Sequence, residues 1–489
     1  MALTDTGDDR SAPPGRAREA APGQPGSAGA GGPSRRVRFG YASGSLVSGT
    51  FTTLPGLLLL PYLTDTLGVG AALAGAVVFL PKAWDVVLNP FVGRASDRTR
   101  TRWGSRRPYV LLGGLVMALG FALTFAGPLP GSAGAWFTGA GYLLTATAFA
   151  FFQVPYVAMP AELADREEDR MRLVAGRVAV IGIAALVTGA AAPALVDAGG
   201  GGLTGHRWAG AFGAAVVALG ALWTFAGTRS TRGATHTTRG ATAGRTARGA
   251  TGTPATATAG TATGTPRVPA AEPTLREQFA AARANPPFVA LLRCVVLQSV
   301  ATGVLLAGAP YFADHVLRDS SGVGALVAAF VAPNLLTMPL WSRLRGPRGY
   351  ALASALFIAG CLLFLASPFL PEGAVLVTMA LAGTGHAGQL LFLYAMLPDC
   401  VARDTTRTGR RQGGVLSGVF TTAEGLGVAI GPFLYGLVLQ LCGYVSSGTG
   451  DAAEQSLTAR VGILAGFGAL PALAAVAAVL LLRSYNRPY

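Results

Sequence analysis

The stretch Trp84-Asp85-Val86-Val87-Leu88-Asn89-Pro90 runs on through Gly93, Arg94 and Asp97 into Arg98-Thr99-Arg100-Thr101-Arg102-Trp103-Gly104-Ser105-Arg106-Arg107-Pro108. An apolar segment carrying one carboxylate gives way here to a loop crowded with arginines. Asp85 stands nine residues before Arg94, so on a helix it lies about 14 Å inside the apolar segment, near the midplane of a bilayer. An Asp at that depth costs roughly 2.5 to 3.5 kcal/mol on insertion scales, which makes it a functional candidate by default. Lys82 at i−3 and Asn89 at i+4 project from the same face and offer a charge partner and a carbonyl oxygen. The plainer alternative is a structural Lys82–Asp85 ion pair that aligns helices.

Outward from this segment, the whole chain has a membrane composition. Its 489 residues are 51% hydrophobic and 12% charged, against about a quarter charged in soluble proteins. Twelve stretches are long enough to cross ~30 Å of hydrocarbon. They are 37–63, 70–94, 108–127, 134–160, 173–196, 207–227, 288–313, 321–342, 349–367, 373–398, 413–438 and 459–483. Residues 1–36, rich in Gly, Pro, Ala and Arg, read as a disordered cytoplasmic tail. Within the 228–287 connection, 228–272 is a Thr/Ala/Gly/Arg tract in which RGAT recurs at Arg232, Arg239 and Arg248. It reads as a flexible linker separating a six-span bundle over 37–227 from another over 288–489.

Arginines cluster in alternate connections: Arg94 to Arg107, Arg343 to Arg348, Arg403 to Arg411, the linker and the tail. The positive-inside rule makes those connections cytoplasmic, with both termini inside a multi-pass protein of the cell membrane. The formal charge of +15 therefore reports topology rather than a nucleic-acid partner, since no basic, aromatic-rich domain exists.

Several enzyme classes drop out. Lys82 is the only lysine and follows Pro81, so no GxxxxGK[ST] phosphate loop is present. The four histidines are scattered, and neither H-E-x-x-H nor G-x-S-x-G occurs. Cys294, Cys361, Cys400 and Cys442 sit singly, suggesting neither a disulfide framework nor a metal site. No cofactor is expected. Transport, with a small molecule and a coupling cation as partners and the bilayer as solvent, is the leading class.

The Trp84–Pro108 segment resembles the glycoside-pentoside-hexuronide:cation symporters of the major facilitator superfamily. Further matches are Val154-Pro155-Tyr156, Glu162 through Arg170, Arg177, Asn285-Pro286-Pro287-Phe288, and Asp399 through Thr408-Gly409-Arg410-Arg411-Gln412-Gly413. The resemblance implies an all-α membrane fold of two six-helix bundles around a central cavity, with alternating access and no ATP hydrolysis. It makes Asp85 the main coupling-ion carboxylate. Asn89 stands where the family has a second one, leaving a single negative charge that suits a proton at least as well as sodium. Gly49 and Gln153 occupy positions of binding aspartates in galactoside-specific members, and Glu424 replaces a lysine.

Glu424 lies about 16 Å into its span from Gly413 and Gln153 about 14 Å from Glu162, depths close to that of Asp85. Asp85, Lys82, Gln153 and Tyr156 from one half, with Glu424, His386 and Gln389 from the other, are therefore the candidate cavity, and Asp85 with Asn89 the candidate cation site. A structural pairing of Glu424 with Arg293 is the alternative for that acid. Asp97, Arg98, Arg106, Arg107, Arg177 and Arg293 are candidate gating or structural charges. The expected function is cation-coupled (H+ or Na+) symport of a sugar or glycoside. Its rivals are transport of an amphipathic lipid or drug-like metabolite, in part through the stretch Met396-Leu397-Pro398-Asp399, and proton-coupled export.

Overall fold

The computed structural model describes residues 32–164, 166–229, 280, 283–319, 322–344, 346–408, 413–448 and 453–482. Most of the tail, most of the linker and Gly409–Gln412 lie outside these residues, as does the side chain of Asp97. Among the described residues the structure is all helical. Twelve helices are long and apolar enough to cross a membrane. In chain order they are α1 (Arg35–Thr66), α2 (Ala71–Arg98), α3 (Arg107–Thr124), α4 (Gly131–Ala158), α5 (Glu167–Ala198) and α6 (Gly202–Gly227), then α7 (Pro286–Leu317), α8 (Gly322–Trp341), α9 (Arg348–Phe369), α10 (Glu372–Thr408), α11 (Gly413–Leu441) and α12 (Leu457–Leu482). The chain is thus a multi-pass membrane protein.

Local chemistry sets the helix ends. Pro108 occupies the first turn of α3, where its missing N–H is no loss. Asn285 caps α7 by accepting from the Phe288 amide at 3.1 Å. Gly201, at φ +71°, makes the tight turn from α5 to α6 that a side chain would strain.

Helix contacts in a bilayer rely on small residues rather than on a solvent-driven core. In the second half α7 and α11 touch at Gly303 and Gly431, where a Cβ on Gly431 would stand 2.5 Å from the Gly303 carbonyl carbon. Large apolar side chains such as Leu112, Trp136, Phe369 and Leu473 point outward and are 61 to 89% exposed, the surface expected of a lipid-facing wall.

The two halves meet through three helix pairs, α1 with α7, α2 with α11 and α5 with α8. Each pair is close at the end away from the arginines. A Cβ on Gly436 would lie 2.5 Å from the Ala71 carbonyl oxygen, and one on Gly189 would lie 2.3 Å from Val327. Toward the arginine face the same helices part. Trp84, Val87 and Phe91 of α2, Val174 and Val178 of α5, and Leu336 and Leu340 of α8 are exposed there. Gly418 and Gly425 of α11 have open space beside them. The molecule is a wedge, closed at one face and open at the other.

The first helix of each half ends alike. Pro61-Tyr62-Leu63-Thr64-Asp65 and Pro310-Tyr311-Phe312-Ala313-Asp314 both run into a π-helical turn, Tyr62–Thr66 and Ala313–Leu317. Repeated halves of this kind are the expected construction of a rocking transporter.

Candidate functional site

Asp85 is carried midway along α2, above the closed contacts with α11 and below the exposed arginine end. Its Oδ1 is buried with no hydrogen-bond partner. Lys82, one turn earlier, is within electrostatic reach of the carboxylate. Its Nζ sits 3.7 Å from the centroid of the Phe51 ring on α1, and Phe51 stacks in turn on Phe149 of α4 at 3.9 Å. The ammonium is therefore held by an aromatic face, a favourable arrangement for a desolvated cation, while one carboxylate oxygen stays unclaimed. An unclaimed buried oxygen is costly and is chemically what a bound cation or proton would satisfy. Asn89, one turn further along, is half-buried on the same helix.

Gln153 of α4 enters the same half by accepting from Ser48 Oγ of α1 at 2.7 Å. From the other half, Glu424 of α11 accepts from Tyr394 Oη of α10 at 2.6 Å. Tyr394 also feels the charge of Arg177 of α5 across the cleft. Arg177 lies over the Tyr156 ring at 5.6 Å, with its Nε buried and unpartnered. The walls of the cleft thus carry Asp85, Lys82 and Gln153 on one side, Glu424 and Tyr394 on the other, and a guanidinium between.

Four expected residues lie elsewhere. Tyr156 is fully buried, held by Ser45 Oγ at 2.9 Å and by donation to the Tyr41 carbonyl at 2.7 Å, so it supports Arg177 from behind rather than facing the cleft. His386 stacks on Phe330 at 5.0 Å and pairs with Gln298 at 3.1 Å inside the second half. Gln389, wholly buried, donates to Ser354 Oγ at 3.0 Å. Arg293 is exposed, and Glu424 takes its hydrogen bond from Tyr394 rather than pairing with that arginine.

The arginine loop is braced within the first half. Arg106 reaches the Ala158 carbonyl and lies 3.3 Å from Glu162, which also accepts from Ser105 at 2.9 Å. Arg107 donates to the Phe225 carbonyl and covers the Phe225 ring at 4.4 Å. Arg98 is exposed at the end of α2. In this conformation Arg106 and Arg107 tie the loop to α4 and α6.

Closure lies at the opposite face. Tyr444 Oη donates to Asp65 Oδ1 at 2.7 Å, Ser447 Oγ to the Asp65 carbonyl at 2.8 Å, and Ser446 Oγ to the Val69 carbonyl at 2.9 Å. Thr64 and Tyr311 hydroxyls meet at 2.7 Å. The Ala72 amide joins them by its bond to Gln440 at 3.5 Å, and these hydrogen bonds between the halves gather at one face. The loop after α11 straps the two halves together. Apart from the acid Asp65, no charge marked these residues in the sequence, because hydroxyl and backbone partners follow from tertiary placement alone. Ser48 and Phe51 were missed for the same reason.

Twelve spanning helices in two halves, a cleft open at one face and a membrane-buried carboxylate define a polytopic protein of the major facilitator fold. The model of the family described as MFS/sugar transport protein matches residues 40–252 and 257–487, and the chain belongs to this family, the glycoside-pentoside-hexuronide:cation symporters. It is 24% identical over 424 residues to the glucuronide carrier protein homolog of Escherichia coli (strain K12), covering 85% of each chain. It is 31% identical over 156 residues to the putative glycoside/cation symporter YagG of the same organism, covering 30% of this chain and 34% of that one. Among solved structures, it shares its fold with an inward-facing, unoccupied bacterial homolog of the human lysosomal transporter Spinster, with a TM-score of 0.65, 14% identity, and 92% and 95% of the two chains covered.

Proposed function

We propose that the protein is a cation-coupled symporter of a sugar or glycoside that works by alternating access, with the arginine-rich face toward the cytoplasm. The observation that carries this reading is the unpartnered Oδ1 of Asp85, buried midway along a spanning helix beside a lysine drawn onto an aromatic ring. A bare carboxylate is costly to enclose, so the cleft resists closing over an empty Asp85. Sodium or a proton at that oxygen removes the cost. Substrate joined to the loaded site then favours the closed and outward-opening states, and coupling follows because both ligands prefer the same conformations.

Glucuronide and glycoside are the substrates that the names of the relatives suggest, and the donors and acceptors along the cleft suit hydroxyl-rich ligands. Arg177, Lys82, Tyr394 and Glu424 supply charged and phenolic partners of the kind that orient a polar ring. A second reading, an amphipathic metabolite, is favoured by the exposed Val174, Val178, Leu336 and Leu340 that flank the cleft between α5 and α8. Reconstituted protein separates the two. Liposomes bearing a sodium gradient or a pH gradient are offered radiolabelled glucuronides, pentosides and an amphipathic cation. Gradient-driven accumulation of a glycoside supports the proposal, whereas gradient-driven movement of the amphipath alone overturns it.

A further inference from the structure

We propose that the furrow between α3, α4 and the end of α2 binds one acyl chain of an anionic phospholipid from the leaflet at the arginine face. The furrow encloses about 530 Å3. Leu112, Val116, Leu144, Ala148 and Phe151 line it, with Thr99 and Pro108 at its mouth. Leu112 is 61% exposed, so the furrow opens sideways to the bilayer and not into the cleft between the halves.

Its walls select for hydrocarbon, because the polar groups around it are already engaged. Tyr109 lies parallel to Phe151 at 6.2 Å and shares its hydroxyl with Thr99 Oγ1 at 2.8 Å. Thr147 Oγ1 accepts from Trp84 Nε1 at 3.2 Å. No convergent donors remain for a sugar.

The mouth selects for negative charge. From Arg98 to Pro108 the chain has five arginines and no carboxylate. Arg106 and Arg107 are turned inward to Ala158, Glu162 and Phe225, which leaves Arg98, Arg100 and Arg102 exposed on either side of Thr99. Trp103, 42% exposed beside Arg102, is an interfacial aromatic at headgroup depth. An apolar slot capped by exposed guanidiniums matches a phospholipid with a net negative headgroup. The occupant would press on the Trp84–Thr147 hydrogen bond, one residue before Asp85.

The test uses the full chain, extracted from nanodiscs of phosphatidylglycerol or of phosphatidylcholine with identical acyl chains and weighed by native mass spectrometry. The expected result is retained phosphatidylglycerol and little phosphatidylcholine. Retention should fall about tenfold in R100Q/R102Q, the change that two surface arginines support. It should fall comparably in Leu144→Trp, which fills the slot from α4, and stay unchanged in Leu119→Trp, which is exposed on α3 but outside the furrow. Equal retention of both lipids, or unchanged phosphatidylglycerol retention in R100Q/R102Q, overturns the site. That double variant alters only exposed side chains, so it decides the matter even where Leu144→Trp fails to fold. Lipid retention is read without transport, so this proposal and the symport reading fail independently.

Discussion

Asp85 and Lys82 announce themselves in the sequence because charge in an apolar run is expensive, and the chain has no other lysine. What the sequence could not show is that Lys82 rests on Phe51 and leaves a carboxylate oxygen open, since ring contacts across helices follow from packing. Asp85→Asn keeps the shape and removes the charge. Its expected outcome is loss of gradient-driven accumulation, to a concentration ratio of about one, with substrate exchange retained, because an uncoupled carrier only equilibrates. Counterflow measured beside active uptake in liposomes checks it. Tyr394→Phe deletes the donor to Glu424 without changing ring size. Loss of a charged hydrogen bond of about 1.5 to 3 kcal/mol predicts roughly a tenfold or greater weakening of apparent substrate affinity, read as a rise in KM.

The spanning helices were legible as apolar runs, while their ends were not. The sequence places one span at 70–94 and another at 373–398, whereas α2 continues to Arg98 and α10 to Thr408. Hydropathy stops at the edge of the hydrocarbon, but a helix satisfies its own backbone and can run on into the headgroups, where arginines are welcome. The Pro-Tyr repeat ending α1 and α7 was likewise on view, and only the paired π turns show its weight. At the α2–α11 contact, Gly436 allows the helix backbones to touch. Gly436→Leu should wedge this contact apart and shift the population toward opening at that face. The check is faster thiol labelling of a cysteine introduced at Ser446, compared with the same cysteine in the parent chain.

For the molecule as a whole, a closed face and an open face mean that one conformation of a cycle is in view. Gly418 and Gly425 meet nothing within 4 Å here, yet they lie on α11 facing the gap that must close when the wedge reverses. Gly418→Leu and Gly425→Leu should therefore leave folding and thermal stability nearly unchanged while slowing exchange transport, a combination read by a melting curve beside a counterflow assay. Tyr444→Phe acts on the other closure. It removes the Tyr444 hydroxyl from Asp65, a loss of about 1 to 3 kcal/mol, and should raise labelling at the strapped face.

The halves recognise one another through helix surfaces, by α1 against α7, α2 against α11 and α5 against α8, and through the strap carried by the second half. Covalent continuity between them is thus a matter of stoichiometry more than of architecture. Two separately translated polypeptides, divided within 230–279, carry every one of these surfaces and should find each other in the same membrane. Such a split carrier would let each lobe be varied, labelled or exchanged with that of a relative on its own, turning the two-lobed build of the molecule into a modular system.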